Sequence, residues 1–326
     1  MVIHGVAYFL LTPIKKPLSF HYIIRLMDEI DFRLCLLLRE NSRIPYRELA
    51  DEVGLSVNAV HSWVSKLKES GIIDGFCAMF GDGAIKESLK ILIHGESRAE
   101  NMEDVLKELS QDKNTYKMFS TSDDYLYIHG TLQDLSKMSD YVECVPDVAE
   151  IEDPEIFLPS FHKKDVQDDF ELKRTDYEII NSLRQDSRKA LSEVGDEIGV
   201  STKTVRRRID RMEEANAIGY SIKWYPIYSD DFIGLMHCGI DKGVRDKILS
   251  EIKNRYYPNV FEVEKASNHP DKVMIKIWGN SLDEIKDMRK ELKSKEYFDC
   301  LKTRMFYDIE YFKNWKDELL KEKMRV

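Results

Sequence analysis

Hydrophobic positions follow the period of a helix in some segments of the chain and that of a strand in others. The clearest helical stripe is formed by Val205, Ile209 and Met212, which fall at i, i+4 and i+7. Gly199 favours a turn just before this segment, and Ser201 is a favourable N-cap. The pattern therefore predicts a helix that begins near residue 201 and buries one apolar face.

This helix belongs to a segment that occurs twice in the chain. A shift of 145 residues places Asp31 on Asp176, and the two copies then stay in register without a gap for about fifty positions. The chain therefore contains an internal duplication. Identical residues at matched positions are Leu38 and Leu183, Arg39 and Arg184, Ser42 and Ser187, Arg43 and Arg188, Glu48 and Glu193, Asp51 and Asp196, Glu52 and Glu197, Gly54 and Gly199, Ser56 and Ser201, and Val60 and Val205.

Each copy predicts three helices followed by a strand. The first helix begins at Asp31 or Asp176, and a glycine turn joins the second helix to the third. Two helices joined in this way are typical of a helix-turn-helix, whose second member can lie in the major groove of DNA. The second helices are predicted at Pro45 to Val53 and Leu191 to Ile198, and β-rich stretches, each a wing or the strand that leaves the domain, at Ile72 to Phe80 and Ile218 to Tyr225.

The segments after each helical unit predict the order β-α-β-β-α-β in both halves. This order is typical of a ferredoxin-like fold, in which helices cover one face of a four-stranded antiparallel sheet. The other face has to be buried, so we expect two such units to pack sheet to sheet. The predicted elements are Leu89 to His94, Met102 to Leu109, Thr115 to Ser120, Tyr125 to His129, Leu132 to Tyr141 and Val148 to Leu158 in the first half, and Phe232 to Ile240, Val244 to Arg255, Val260 to Ala266, Lys272 to Trp278, Leu282 to Leu292 and Leu301 to Tyr311 in the second.

The chain is therefore predicted to be an α+β protein in which two winged helix-turn-helix domains alternate with two ferredoxin-like domains. A polar stretch without periodicity, residues 159–173, separates the halves as a linker. Met27 stands directly before the first periodic segment, so we expect it either to lie close to the natural start or to follow a poorly ordered arm. The predicted boundaries are 1–27 for that arm or mis-assigned start, 28–80 and 174–226 for the winged helix-turn-helix domains, 85–158 and 230–312 for the ferredoxin-like domains, and 313–326 for a C-terminal tail.

The composition is that of an ordinary globular protein with enough residues for several cores. The chain has 326 residues, of which 43% are hydrophobic and 33% charged, and its formal net charge is -10. The negative sum argues against a protein that coats nucleic acid nonspecifically, but it leaves room for a local basic patch. Five widely separated cysteines without a CxxC pair indicate reduced thiols of a cytoplasmic protein and support neither a disulfide framework nor a zinc site.

Neither a membrane span nor a signal peptide is predicted. The apolar run Val6 to Leu11 is too short to cross a bilayer and has no positive segment before it. The histidines include no pair at i, i+4, and we predict His94, His129 and His237 to be ordinary strand residues rather than metal ligands. The sequence therefore predicts no metal, no cofactor and no catalytic residue.

Positive charge is concentrated on the third helix of the second copy. The cations outside its apolar stripe are Lys203, Arg206, Arg207, Arg208 and Arg211, with only Asp210 opposing them. Guanidinium groups suit phosphate oxygens and guanine edges, so this face is typical of a DNA-reading helix. For this segment alone, the alternative is a solvated face on an ordinary surface helix. The third helix of the first copy has few cations, and we predict that the second copy supplies most of the DNA-binding free energy.

These segments resemble the Lrp/AsnC family of prokaryotic transcription regulators. In the second copy the resemblance is carried by Asp176, the Asp-Ser-Arg at 186–188, the Glu-Ile-Gly-Val-Ser at 197–201, the arginine-rich helix and the Ile-Gly-Tyr at 218–220. In the first copy it is carried by Asp31, the Asn-Ser-Arg at 41–43, residues 52–56 and residues 71–75. The chain departs from the usual family pattern in that it fuses two family-length units.

The resemblance implies sequence-specific binding to double-stranded DNA, assembly through the sheet domains, and a small effector such as an amino acid. One fused chain can supply both halves of a pseudo-twofold dimer, alone or within a homo-oligomer, so its two half-sites need not be identical. The residues expected at DNA are Ser201, Thr202, Lys203, Thr204, Arg206, Arg207, Arg208 and Arg211 in the second copy, and Ser56, Asn58, His61, Ser62, Ser65 and Lys66 in the first. For Ser56 and Ser201, helix capping is the favoured role.

The effector pocket of the family is lined by a Gly-x-x-Asp-like turn between the second and third strands of the sheet domain. The candidate effector residues implied here are Ser122, Asp123 and Asp124 in the first copy and Asn268, His269 and Asp271 in the second. The glycine is absent from both loops, and plain turn chemistry explains these residue types equally well.

Two other functions stay open at this point. Fused two-unit chains of this architecture also occur as siroheme decarboxylases, in which histidine and arginine of the sheet units act on a tetrapyrrole. Two observations count against that enzyme. Its helix-turn-helix is vestigial and has no physical reason to keep the run from Arg206 to Arg208, and neither sheet unit contains a histidine-rich cluster. The other function is that of an adaptor that contacts transcription proteins through acidic surfaces, and salt-sensitive DNA binding would count against it.

Overall fold

Each half of the chain opens with three helices and continues into a ferredoxin-like unit. The computed structural model describes residues 26–85, 88–160, 170–295 and 297–324. The elements of the first half are α1 (Glu29–Glu40), α2 (Tyr46–Val53), α3 (Val57–Glu69), β1 (Ile73–Phe80), β2 (Leu89–Glu96), α4 (Met102–Leu109), β3 (Thr115–Thr121), β4 (Tyr125–Leu132), α5 (Met138–Val148) and β5 (Glu155–Phe157). Those of the second half are α6 (Arg174–Leu183), α7 (Leu191–Ile198), α8 (Thr202–Glu214), β6 (Ile218–Trp224), β7 (Phe232–Ile240), α9 (Arg245–Arg255), β8 (Val260–Lys265), β9 (Lys272–Gly279), α10 (Leu282–Lys293), β10 (Phe298–Tyr311) and α11 (Trp315–Met324). This order confirms the α+β fold with two winged helix-turn-helix and two ferredoxin-like domains.

The helical units form where the sequence places caps and glycines. α1 is capped by Asp28, whose carboxylate accepts a hydrogen bond from the Asp31 amide at 2.9 Å. α2 ends at Gly54 with φ 71° and α7 at Gly199 with φ 73°. A residue with a Cβ is strained in this left-handed conformation, so glycine allows the sharp turn into the third helix. We call the third helices, α3 and α8, the recognition helices.

The strands that leave the two helical units pair with each other. β1 and β6 form a two-stranded antiparallel sheet in which Phe76 lies opposite Ile222 and Ala78 lies opposite Tyr220. A pseudo-twofold rotation that maps β1 onto β6 places Phe76 on Tyr220 and Ala78 on Ile222, so it exchanges these two pairs. Each of the predicted β-rich stretches is therefore a strand that leaves its domain, and together the two strands join the halves of the chain.

The two ferredoxin-like sheets join edge to edge into one eight-stranded sheet. Its order is β5-β2-β4-β3-β10-β7-β9-β8, so both halves have the same strand topology. β10 makes the connection because its 14 residues pair first with β7 and then with β3. At the outer ends, a bridge between Pro159 and Ala266 links the β5 edge to the β8 edge. The sequence did not predict this edge pairing.

The two four-stranded halves of this sheet also face each other across a shared core. This arrangement confirms the expected sheet-to-sheet packing of the two ferredoxin-like units. The buried members of this core are Leu92, Phe119, Tyr127 and Phe157 from the first half and Leu235, Ala266, Met274 and Ile309 from the second. Full burial of a large apolar side chain is worth roughly 1.5–3 kcal/mol. This shared core therefore holds the two halves of the chain together.

The two helical units are anchored to the sheets in different ways. Phe32 of α1 is fully buried and stacks on Trp278 of β9, with the ring centroids 4.3 Å apart. The second unit is held instead by α11, in which Asp317 forms an ion pair with Arg184 and Leu320 enters the core of the unit. The predicted C-terminal tail at 313–326 is corrected here, because most of it is a helix packed on α6.

Two predicted elements differ from the structure by more than three residues at one or both ends. The helix expected at Leu132 to Tyr141 is displaced to α5, since Leu132 is a buried residue of β4. The strand expected at Val148 to Leu158 shrinks to β5, because α5 runs as far as Val148. Residues 1–25 and 161–169 lie outside the described residues, and with them most of the predicted arm and linker. Within the described ranges, no helix is long and apolar enough to cross a membrane.

Candidate nucleic-acid interface

α8 presents positive charge on one side and buries its apolar stripe on the other. Val205, Ile209 and Met212 are buried in the core of the second helical unit, as the periodicity predicts. The cations that remain exposed are Lys203, Arg206, Arg207 and Arg211, which we call the cationic face. The first three form no ion pair or hydrogen bond with any residue that the structure describes. Among the described residues, none therefore neutralises these three charges.

Arg208 does not belong to the cationic face. Its Nη1 lies 3.1 Å from Oδ2 of Asp176 in α6, and the two side chains are only 18% and 4% exposed. This ion pair ties α8 to α6, so its guanidinium group is not available to phosphate. The expectation that Arg208 contacts DNA is corrected, because helix periodicity alone does not show that this position faces a buried aspartate.

Replacing Arg208 by alanine is expected to lower the free energy of unfolding by about 3 kcal/mol, because Asp176 would keep a buried charge without its partner. Arg206→Ala, two positions earlier on the exposed side, is the matched control and should change that free energy by no more than about 0.5 kcal/mol. Urea unfolding followed by circular dichroism measures both. Equal small losses would show that the Arg208 pair contributes little to the fold.

The serines at the starts of the recognition helices act as caps. The hydroxyl oxygen of Ser56 accepts a hydrogen bond from the Ala59 amide at 3.2 Å, and that of Ser201 accepts one from the Thr204 amide at the same distance. Capping explains both serines, as favoured from the sequence. Thr202 is exposed and Thr204 half-buried at the same end of α8, and their contact with DNA stays a prediction.

α3 occupies the matching place in the first unit but carries a different surface. The residues predicted to face DNA there, Asn58, His61, Ser62, Ser65 and Lys66, are all exposed. The repeat places His61 and Ser62 where α8 has Arg206 and Arg207. The ring of His61 also packs against Tyr46 of α2, with centroids 3.9 Å apart. The two recognition helices therefore differ in both charge and hydrogen-bonding groups.

A second concave site lies between the two ferredoxin-like units. It is a cavity of about 610 Å³ lined by residues of both halves. His94 of β2 and His237 of β7 face each other in it, with ring centroids 5.2 Å apart. Sequence reasoning missed this pair because it considered each sheet unit alone. The sequence does hold one indication of the pair, because each histidine lies on the first predicted strand of its sheet unit.

Each of these imidazoles is held by a tyrosine. Nδ1 of His94 lies 2.8 Å from the hydroxyl of Tyr125, and Nε2 of His237 lies 2.6 Å from that of Tyr127. Burial lowers the pKa of His94 to about 4 and that of His237 to about 3. The guanidinium of Arg304 lies 3.7 Å from the ring centroid of Tyr125 and completes this side of the cavity. At neutral pH the cavity therefore holds two uncharged imidazoles.

Because the pKa values of His94 and His237 are lowered, we expect the free energy of unfolding to be smaller in acid. A free imidazole has a pKa of about 6.5, so between about pH 6.5 and pH 4 the unfolded chain binds more protons than the folded chain. The free energy of unfolding should therefore fall as the pH falls through this window. Urea unfolding at pH 7 and pH 5 measures this fall, which His94→Phe/His237→Phe should reduce. An unchanged pH dependence in the variant would show that the two imidazoles do not cause it.

The structure places one of the predicted effector residues in the wall of the cavity and a second against a residue of that wall. Asp271 is part of its wall. Asp123 reaches it through Arg304, whose Nε donates to Oδ2 of Asp123 at 3.2 Å. The others, Ser122 and Asp124, are exposed in the loop between β3 and β4, and His269 is half-buried in the loop between β8 and β9. The effector role of all of them stays a prediction.

Asn268 has a structural role at the outer edge of the sheet. Its Nδ2 donates to the carbonyl oxygen of Ile156 at 2.7 Å, and its Oδ1 accepts from the amide of Leu158 at 2.9 Å. The side chain thus fastens the end of β5 to the loop after β8. These bonds explain an asparagine at this position without an effector.

Comparison with known proteins assigns both helical units. Residues 27–74 match the winged helix-turn-helix DNA-binding family, and residues 172–213 match the AsnC-type helix-turn-helix domain. An uncharacterised HTH-type transcriptional regulator of Pyrococcus abyssi is 31% identical over 121 residues, which is 36% of this chain and 78% of that relative. The chain belongs to the Lrp/AsnC family of transcriptional regulators. A similar regulator of Pyrococcus horikoshii is 30% identical over 121 residues, with the same shares of both chains.

The tandem arrangement of this Lrp/AsnC regulator has a parallel among solved structures. The siroheme decarboxylase NirDL superposes with a TM-score of 0.59 at 14% identity and covers 90% of this chain and 98% of its own. The same enzyme has also been solved with an iron-uroporphyrin III analogue, at 12% identity to this chain. At such identities the likeness shows a shared two-unit fold and nothing about activity.

Proposed function

We propose that the chain is a sequence-specific transcription regulator that reads double-stranded DNA mainly through the cationic face of α8. The observation that carries this proposal is that Lys203, Arg206 and Arg207 are exposed and make no ion pair with described residues, on the recognition helix of a helix-turn-helix. Guanidinium groups so placed can donate two hydrogen bonds to a guanine edge or bind a phosphate. α3 adds a weaker contact at a second, different half-site.

The salt dependence of binding tests this function. Each cation that neutralises a phosphate releases counterions, so the four cations of the face give a slope of log K against log salt of about -3 to -4. Fluorescence anisotropy with a labelled duplex at several potassium chloride concentrations measures the slope. Binding that does not respond to salt, or no binding at all, would support an adaptor instead.

A small zwitterionic effector, such as an amino acid, fits the cavity between the sheets. Its wall carries both signs of charge, with Lys302 and Arg304 among the cations and Glu96 and Asp271 among the anions. An amino acid offers one charge of each sign. Because both halves of the chain line the cavity, a molecule bound there would bias the placement of one half against the other and hence of α3 against α8.

A second candidate function is that of a tetrapyrrole decarboxylase. It is favoured by the facing pair His94 and His237 and by the fold shared with siroheme decarboxylase NirDL. The charges around the cavity count against it, because three of its four cations already have carboxylate partners. These pairs are Arg98 with Glu152, Lys272 with Glu155 and Arg304 with Asp123. A ligand with several carboxylates would have to displace them.

Titration of the purified chain separates the two ligands. A regulator with an amino-acid effector should show a raised melting temperature with one or a few amino acids and an unchanged siroheme absorbance spectrum. A decarboxylase should shift that spectrum and release carbon dioxide, and His94→Ala/His237→Ala should abolish both effects. The second outcome would replace the regulator proposal with the enzyme.

A further inference from the structure

The turns between the first and second helices of the two units meet on the pseudo-twofold axis. Ser42 and Ser187 are matched positions of the repeat, both are fully buried, and their hydroxyl oxygens lie 2.6 Å apart. The adjacent arginines reach across in opposite directions. Arg43 donates to the carbonyl oxygen of Ser187, and Arg188 donates to that of Ile44 at 2.8 Å. We call Ser42, Arg43, Ser187 and Arg188 the turn clasp.

The turn clasp is tied to the strands that join the two halves. The amide of Ser187 donates to the carbonyl oxygen of Phe76 in β1 at 3.1 Å, and the guanidinium of Arg188 lies 5.0 Å from the centroid of the Phe76 ring. On the other side, the guanidinium of Arg43 lies 5.5 Å from the ring centroid of Tyr220 in β6. The pseudo-twofold rotation exchanges Phe76 and Tyr220. The contacts therefore repeat on both sides of the axis and oppose sliding of one unit past the other.

A series of contacts leads from the turn clasp to a recognition helix. The guanidinium of Arg188, from the second unit, lies 4.4 Å from the ring centroid of Tyr46 in α2. The ring of Tyr46 in turn packs against that of His61 in α3. One arginine of the second unit is thus linked to the recognition helix of the first through a single tyrosine. The clasp fixes α3 relative to the unit that carries α8.

We propose that the turn clasp is a positioning device that sets the spacing of the two half-sites. It holds α3 and α8 at one separation, so the chain engages both half-sites only when the duplex presents them at the matching distance. Two binding elements in one molecule gain affinity from each other only when the geometry allows both to bind at once. This inference rests on the proposed function, since spacing matters only for a pair of helices that read DNA.

Duplexes that carry both half-sites at different spacings test the role in DNA binding. A shift of about five base pairs moves one half-site to the opposite face of the duplex. The full wild-type chain should then lose about tenfold or more in affinity. Arg43→Ala/Arg188→Ala should reduce this spacing preference to within about threefold. Its affinity for a duplex with only the α8 half-site should stay within about twofold of wild type.

A distance measurement without DNA tests the clasp itself. Glu69 and Glu214 are exposed, matched residues at the ends of α3 and α8. Spin labels carried there on non-canonical amino acids should give a narrow distance distribution in the otherwise wild-type chain and a broad one in Arg43→Ala/Arg188→Ala. Arg255→Ala is the control, because it breaks an exposed ion pair with Glu291 between α9 and α10, away from the clasp and from both helical units. It should keep both the narrow distribution and the spacing preference.

A milder variant keeps the test decisive if the double arginine variant does not fold. Ser42→Ala/Ser187→Ala removes both buried hydroxyls together and leaves neither without a partner, so it should fold and still loosen the spacing preference. A folded clasp variant with the wild-type spacing preference and a narrow distance distribution would overturn the positioning role while DNA reading by α8 stands. A wild-type chain that binds no duplex would overturn the proposed function and the spacing role with it.

Discussion

Arg206→Ala/Arg207→Ala is expected to weaken binding of the chain to its preferred duplex by about 100-fold, because each well-placed arginine contact to a base is worth about 1–3 kcal/mol. Both guanidinium groups are exposed on α8 and have no ion pair with a described residue, so their removal leaves no buried charge behind. Gel-shift titration at fixed salt measures the loss. The slope of log K against log salt should fall in magnitude by about 1 for each of the two arginines that binds a phosphate instead of a base.

The repeat itself supplies the control for this variant. His61→Ala/Ser62→Ala changes the matched positions of α3, and we expect it to weaken binding by less than about tenfold, because neither residue brings a permanent charge to the duplex. Circular dichroism of both variants checks that the helices remain folded. If the two double variants lost affinity equally, α8 would not be the main reader.

Phe32→Ala is expected to lower the free energy of unfolding by about 3–5 kcal/mol, the usual loss when a buried phenylalanine is truncated. Phe32 is fully buried, stacks on Trp278, and contacts Phe261 and Trp224 edge-on or tilted, with centroids 5.3 and 5.5 Å away. The truncation opens a cavity where the first helical unit rests on β9. Urea unfolding measured by tryptophan fluorescence reports directly on this site.

Tyr177→Ala, at the matched position of the second unit, is the control for Phe32→Ala. Tyr177 is half-buried and contacts Phe80 with ring centroids 6.0 Å apart, so its truncation should cost roughly half as much or less. This difference follows from the different anchors of the two units. A loss as large as that of Phe32→Ala would show that both units rest on their surroundings equally.

Local signals in the sequence predicted the helical units well. The cap at Ser201, the left-handed glycines Gly54 and Gly199 and the buried stripe of α8 each depend on a few neighbouring residues. Such features can be read from a single segment, and the internal repeat supplied a second copy of most of them.

Features that depend on distant residues were not predictable in this way. Arg208 reads as one more surface arginine until α6 brings the buried Asp176 against it. His94 and His237 read as isolated strand residues until the two sheets face each other. The same holds for the turn clasp, since Ser42 and Ser187 are only identical residues of the repeat until the two turns meet. Each case needs the relative placement of two segments far apart in sequence, which periodicity does not encode.

Selection of bound sequences from a random pool of duplexes tests the central claim most directly. The wild-type chain should enrich a site with one strong and one weak half-site at a single spacing, because the cationic face lies on α8 and α3 lacks it. Arg206→Ala/Arg207→Ala should lose the strong half-site from the enriched pool. A pool without enrichment, or one with two equal half-sites that Arg206→Ala/Arg207→Ala leaves unchanged, would contradict a regulator that reads DNA through α8.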